Sequence, residues 1–228
     1  MAVSISVNQS SKLYLRNPEE SELGRKIVSE SISLIVKLGF EEFTFKKLAA
    51  AIRSTEASIY RYFENKHKLL IYLISWYWAW LEYLIEYKTN NISDPVKKIR
   101  IIIKIIAETS SKDDPNSPHI DESSLHKIVV AESAKAYLTK NVDSENKAGL
   151  FANYQSLCKA IYKVIQEINP KFPYPRAMAS NLIETAHEQI FFSQHLPGLS
   201  DVPTSKNDYS HISEFLELIF FATVKTSK

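Results

Sequence analysis

An all-α fold of about nine helices is what this sequence predicts, on three observations. Only 4 Gly and 9 Pro punctuate its 228 residues, too few turn formers for a many-stranded architecture. Apolar residues recur at helical spacing through most of the chain. Several of these runs open on Thr, Asn or Asp, the side chains that cap helix N-termini. With 45% apolar residues the chain can bury a sizeable core.

Residues 1–20 are polar and aperiodic and read as a flexible arm. From Glu22 a first helix begins, with Leu23, Ile27, Leu34 and Leu38 on one face and Val28 and Ile35 beside it. Gly39 stands where a helix-ending glycine would, and Phe40 and Phe43 can anchor the turn. Thr44 can cap a second helix whose Phe45, Leu48, Ala49 and Ile52 fall at i, i+3, i+4 and i+7. It ends near Arg53. Thr55 can cap a third helix, with Ile59 and Phe63 facing inward, and Asn65 a fourth that runs to Lys88. Two short helices joined by a tight turn are the geometry of a helix-turn-helix.

Past Asn90, Asp94 and Pro95 open the run "DPVKKIRIIIKIIAETS". Its isoleucines also suit a strand, but the cap and the proline at the first helical position decide for helix. "SSKDDPNSPHIDESS" reads as a loop by its Ser, Asp and Pro content. Helices are expected over 121–138, 145–169, 175–196 and 209–225. "NPKFPYP" and "LPGLSDVPTS" separate the last three.

Composition excludes several classes. The lone Cys158 rules out an intramolecular disulfide framework. The N-terminus lacks a basic segment followed by a long apolar one, so no secretion signal is read. The apolar run Leu69 to Leu81 is too short to span a bilayer. A cytoplasmic protein is expected. His187-Glu188 has no second His at zinc spacing, Cys158 has no partner base, and Gly24, Gly39, Gly149 and Gly198 are isolated. The chain reads as no enzyme, with no metal and no cofactor.

The stretch "GFEEFTFKKLAAAIRSTEASIYRYFENKHKLL" carries the strongest signal. Gly39-Phe40, the Thr44 cap, Leu48-Ala49, Thr55, Ile59-Tyr60, Phe63, Lys66 and Leu69-Leu70 resemble, in order and spacing, the DNA-binding domain of the TetR/AcrR family of bacterial transcriptional regulators. Four departures stand out. The turn, usually Ala-Gly-Val, is Ile52-Arg53-Ser54. Arg53 lacks glycine's freedom at positive φ, so a locally different turn is expected. Ala57 replaces the family's Gly, Tyr62 its His, and His67-Lys68 its acidic pair.

In a helix-turn-helix the third helix enters the major groove with its N-terminal residues near base edges. Thr55, Glu56, Ala57 and Ser58 occupy that end. Glu56 can accept from cytosine N4, and Ser58 can bond either kind of base. Tyr60 and Tyr62, bulky and polar, are expected outside with hydroxyls on phosphates; for Tyr60 and Lys66 the resemblance implies the same. Thr44, Lys46, Arg53, Arg61 and Lys68 complete the expected DNA-facing set. Lys66, His67 and Lys68 lie in a helix's first turn, where positive charge opposes the dipole and a phosphate would reverse the penalty. Residues 21–70 hold nine Lys/Arg against six Asp/Glu, a local excess in a chain of net charge +2.

One helix-turn-helix makes few base contacts, so a homodimer on a palindromic operator is expected. The resemblance implies that the last two helices pair with those of the mate. Met178, Leu182 and Ile190 on one, and Ile212, Phe215, Leu216 and Ile219 on the other, make suitable stripes; an intramolecular core would use the same residues. The resemblance also implies an effector pocket in the middle helices. Trp76, Trp80, Tyr83, Tyr154, Cys158 and His187 are its candidate lining, suiting a lipophilic or aromatic ligand. This divides the chain into an arm (1–20), a helix-turn-helix domain (21–68) and a helical effector-binding and dimerisation domain (69–228). The alternative is a hydrophobe-binding protein of the same fold that does not read DNA.

Overall fold

The computed structural model describes residues 12–108, 120–202 and 208–224. Among these there are α-helices and two short 3-10 turns, with no strand. In chain order the helices are α1 (Glu22–Leu38), α2 (Phe45–Ala51), α3 (Glu56–Tyr60), α4 (Lys66–Thr89), α5 (Pro95–Ala107), α6 (Glu122–Glu132), α7 (Ala134–Tyr137), α8 (Val142–Lys147), α9 (Ala152–Ile168), α10 (Pro175–His195) and α11 (Ser210–Val224). The expected helix 121–138 is divided at Ser133. The one expected over 145–169 is divided near Gly149, whose φ of +78° ends α8. Most of the loop read at 110–124 lies outside the described residues.

The chain forms two compact units, Met1–Trp78 with Ser111–Asn153, and Ala79–Ser110 with Tyr154–Lys228. A single cut between residues 68 and 69 was expected. The residues of α4 as far as Trp78 group instead with the first unit, and Leu69 to Trp78 are all buried at 3% exposure or less. A helix apolar all round must be buried all round.

In the first unit the expected caps form. Thr44 Oγ1 accepts from the Lys47 amide, Thr55 Oγ1 from that of Ser58, and Asn65 Oδ1 from that of Lys68. Ile27, Val28, Ile32 and Ile35 of α1 meet Phe43, Leu48, Ile59 and Phe63 in a core with essentially no exposure. The α2–α3 turn keeps the form that a glycine would give it. Arg53 takes φ +55°, its amide donates to Ala50 O, and the Ser54 amide reaches back to Ala49 O. This is the paired hydrogen-bond pattern that closes a helix through a left-handed residue. The expectation that Arg53 alters the turn is corrected: the residue accepts the strain of a left-handed conformation, of order 1–2 kcal/mol for a side chain with a Cβ.

The arm is also revised. Residues 1–11 lie outside the described residues, but 12–20 are seated on the domain. Leu13 is 1% exposed, the Leu15 amide donates to Tyr62 O, and Tyr72 donates to Glu19. Gly24 makes this seat possible. A Cβ there would stand 2.2 Å from the carbonyl oxygen of Pro18.

In the second unit α10 packs against α5 and α11. Ile99, Ile102, Ile103 and Ile106 of α5 are fully buried, so the isoleucine run is helical, as Asp94 and Pro95 signalled.

Candidate nucleic-acid interface

The outer surface of α2, the turn and α3 is built by what the inner surface removes. Ile52, Ile59 and Phe63 are buried, which leaves Thr44, Lys46, Arg53, Thr55, Glu56, Ala57, Tyr60 and Arg61 exposed and Ser58 half-buried. Thr55 Oγ1 lies 2.9 Å from Ser58 Oγ, so the two hydroxyls are held together at the start of α3. The Tyr60 ring stands edge-on against Phe45, centroids 5.0 Å apart, which fixes its direction while 48% of the residue stays exposed. Lys46, Arg53 and Arg61 supply positive charge on this face, and Lys47 is paired with Glu42.

Three residues assigned outward from the sequence turn inward. Tyr62 is 2% exposed; its hydroxyl shares a 2.7 Å hydrogen bond with Ser21 and Arg16 lies over its ring. Lys66 Nζ donates to the carbonyls of Phe40, Glu41 and Phe43 at 3.1, 3.0 and 3.3 Å. Lys68 Nζ reaches Glu145 of α8 at 3.2 Å, and His67 Nε2 is 3.3 Å from the same carboxylate. The positive first turn of α4 is therefore answered by an acid within the protein, 77 and 78 residues further along the chain. Nothing in the sequence pattern of α8 marked Glu145 as that acid.

Glu145 is buried and its two partners reach solvent. Replacing it with Gln is expected to lower the stability of the first unit by about 1–2 kcal/mol, between the values of exposed and buried pairs. Thermal unfolding at low and at 1 M salt, on the order of the screening range, tests this. A loss that vanishes in high salt would make the trio an ordinary surface pair. A second ionic link joins Lys135 of α7 to Glu41 at 2.8 Å and to Glu132 at 2.7 Å, and Lys135 holds the Glu41 carboxyl below its usual range.

The expected effector lining is only partly gathered. Trp76, in the first unit, is buried at 3% exposure. In the second unit Trp80 is buried, and Tyr154 meets Glu184 of α10, which no sequence pattern marks. Tyr154 donates to Glu184, whose charge also acts on Cys158 and His187. Burial pushes the Cys158 thiol up to about 12 and the His187 imidazole down to about 4. Tyr83 lies apart from them, on a cleft between α4 and α9. Glu82 accepts from Ser156 at 2.6 Å.

The residues of the expected dimer stripe divide by burial. Met178, Leu182, Ile190, Ile212 and Leu216 are buried within the chain itself, between helices of one unit. Phe215 and Ile219 are half-buried and Leu218 is 69% exposed. Periodicity marked these residues as buried but could not say against what.

Two helical units, the first of which carries an exposed helix-turn-helix, define a class of two-part proteins. The sequence match narrows it: residues 27–73 match the family model of the bacterial regulatory proteins, tetR family. The match is confined to the segment that holds the helix-turn-helix and the start of α4. No curated protein matches the chain in sequence. The structure of AibR in complex with isovaleryl coenzyme A and operator DNA is similar, with TM-score 0.58 at 16% identity over 86% of this chain and 98% of that one. The fatty acid degradation regulator FadR from Bacillus halodurans gives 0.59 at 14% over 89% and 95%. The superantigen PfiT gives 0.56 at 16% over 93% and 100%. At such identities the likeness establishes a shared fold. No helix among the described residues is long and apolar enough to cross a membrane.

Proposed function

We propose that the protein is a DNA-binding transcriptional regulator that acts as a homodimer on a palindromic operator and is released from it by a small lipophilic or aromatic ligand. The observation that carries this reading is the outer face of α2 and α3. Its bases of contact (Thr55, Glu56, Ala57, Ser58) and its charges (Lys46, Arg53, Arg61) are exposed together over a closed core. Tyr60 stays in the phosphate-facing set, whereas Tyr62, Lys66 and Lys68 leave it. For the dimer, the reading moves to the side of α11 that carries Phe215, Leu218 and Ile219. Release would follow from linkage, because a ligand that prefers a conformation unable to span both half-sites must lower DNA affinity.

Gel shifts against the DNA upstream of the protein's own gene test it. A complex of two chains per site is expected. Arg53→Ala and Arg61→Ala should each weaken binding across sequences and reduce the salt slope by about 1. Glu56→Gln should instead change which sequence is preferred. If all three variants behave alike, the division between base and phosphate contacts is wrong. The withdrawal of three expected phosphate contacts is the observation that favours a hydrophobe-binding protein of this fold without DNA. Absence of any salt-sensitive, sequence-preferring complex would establish that alternative.

A further inference from the structure

The C-terminal half of α4 carries two Glu-Tyr pairs four residues apart, Glu82-Tyr83 and Glu86-Tyr87. At that spacing the two carboxylates share one side of the helix and the two rings another. The rings stack, centroids 6.1 Å apart and planes 18° from parallel, and Tyr87 is 71% exposed. The carboxylates are like charges one turn apart, an arrangement that weakens a helix. Burial raises the Glu82 carboxyl above its ordinary range; the hydrogen bond from Ser156 opposes this and the charge of Glu86 adds to it. Such a break of a local rule, without a visible gain for the fold, tends to mark a functional site.

Tyr83, Glu86 and Tyr87 wall a cleft of about 630 Å³, within the range of small-molecule sites, that Asn90, Asn91 and Val164 also line. Lys98 stands on the same cleft, but its ammonium is held by Glu167 at 2.9 Å. Glu86 is exposed and has no ion-pair partner among the described residues. The cleft thus offers aromatic faces, an available carboxylate and amide groups.

We propose that this cleft binds a lipophilic organic monocation, a quaternary or protonated ammonium bearing an aromatic group, with its charge over the Tyr83–Tyr87 pair and against the Glu86 carboxylate. Ring quadrupoles attract a cation placed over their faces, and the carboxylate adds a direct Coulomb attraction. Occupancy also offsets the repulsion between Glu82 and Glu86. An anion of the same size meets the same groups with the opposite sign. Only the consequence for DNA rests on the regulator reading above; the binding itself stands on the chemistry of the cleft.

Calorimetric titration of the full chain with 2-naphthylmethyl-trimethylammonium, and with 2-naphthylacetate as its size-matched anion, tests the site. Saturable one-site binding of the cation alone is expected. Glu86→Gln and Tyr87→Ala should each weaken it about tenfold, as the loss of one charge or one cation–π face would. Both residues are exposed, so unchanged thermal unfolding should show that both variants fold. No cation binding below about 1 mM, equal binding of the anion, or unaltered affinity in both variants would overturn the proposal. Adding the cation to the operator complex separates the two readings. Release supports both, and binding without release keeps the cleft while removing the ligand step from the regulator.

Discussion

Lys66→Ala is expected to destabilise the first unit by about 3 kcal/mol while leaving the salt dependence of DNA binding unchanged. The ammonium of Lys66 donates to three backbone carbonyls, those of Phe40, Glu41 and Phe43, and lies 4.8 Å from the centre of the Phe40 ring. Phe40 and Phe43 are themselves buried, so their carbonyls have little access to replacement water. Hydrogen bonds to a charged group are worth roughly 1.5–3 kcal/mol each when one partner is removed. Three such bonds share one ammonium and are not additive, and the carbonyl of exposed Glu41 can rehydrate. The total is therefore set below the simple sum, at about 3 kcal/mol, the worth of roughly two such bonds at the low end. In a chain of this length the loss corresponds to a fall of about 6–12 °C in the unfolding midpoint.

Lys66→Met separates the ammonium from the stem. It keeps apolar contact with Phe40 and loses the three donors. A Met variant as unstable as Ala assigns the effect to the hydrogen bonds, and a stable Met variant assigns it to packing. The competing role for Lys66 predicts a different pattern: no fall in the midpoint and a salt slope reduced by about 1, as for a phosphate contact. Observing that pattern would mean that the ammonium leaves its carbonyls when DNA binds.

The roles of Lys66 and Lys68 show where the sequence stops being legible. The helix-turn-helix could be read because its signals are local. Thr44, Thr55 and Asn65 each bond an amide three residues on, and Ile52, Ile59 and Phe63 face inward at helical spacing. The same sequence showed that positive charge at the start of α4 needed an answer, but not that Glu145 supplies it from α8. Gly24 looked incidental until the Pro18 backbone was found against it. Tyr62 was placed outside by its polarity, yet one hydroxyl partner, Ser21, suffices to bury it. On α10 and α11 apolar spacing identified Leu182, Ile190 and Leu216 as covered, and the covering surface proved to be the chain itself. What was missed in each case is a contact between residues far apart in sequence, on which period and capping are silent.

Buried His187 gives the protein a defined acid weakness. The side chain is 3% exposed on α10, and burial pushes its imidazole from the ordinary value of 6.5 down to about 4; the charge of Glu184 acts in the opposite sense but does not prevail. In the folded state the ring stays neutral until the pH nears that lowered value, whereas in the unfolded chain it takes up a proton below about 6.5. The unfolded state therefore binds more protons between the two values, and stability falls with pH in that window. The contribution is fully present above about pH 6.5 and is lost as the pH falls to about 4, a total on the order of 3 kcal/mol. Urea unfolding from pH 7 to pH 4, on about half-unit steps, measures it. His187→Phe should flatten this part of the profile relative to the unsubstituted chain, whatever the variant's stability at neutral pH. Carboxylates that titrate in the same range contribute to both profiles and cancel in the difference, except Glu184, which acts on His187 directly. Glu184→Gln removes the charge that favours the imidazolium, so it should deepen the His187 loss. Parallel profiles for the unsubstituted chain and His187→Phe would show that the imidazole is protonated in the folded state or reached by water.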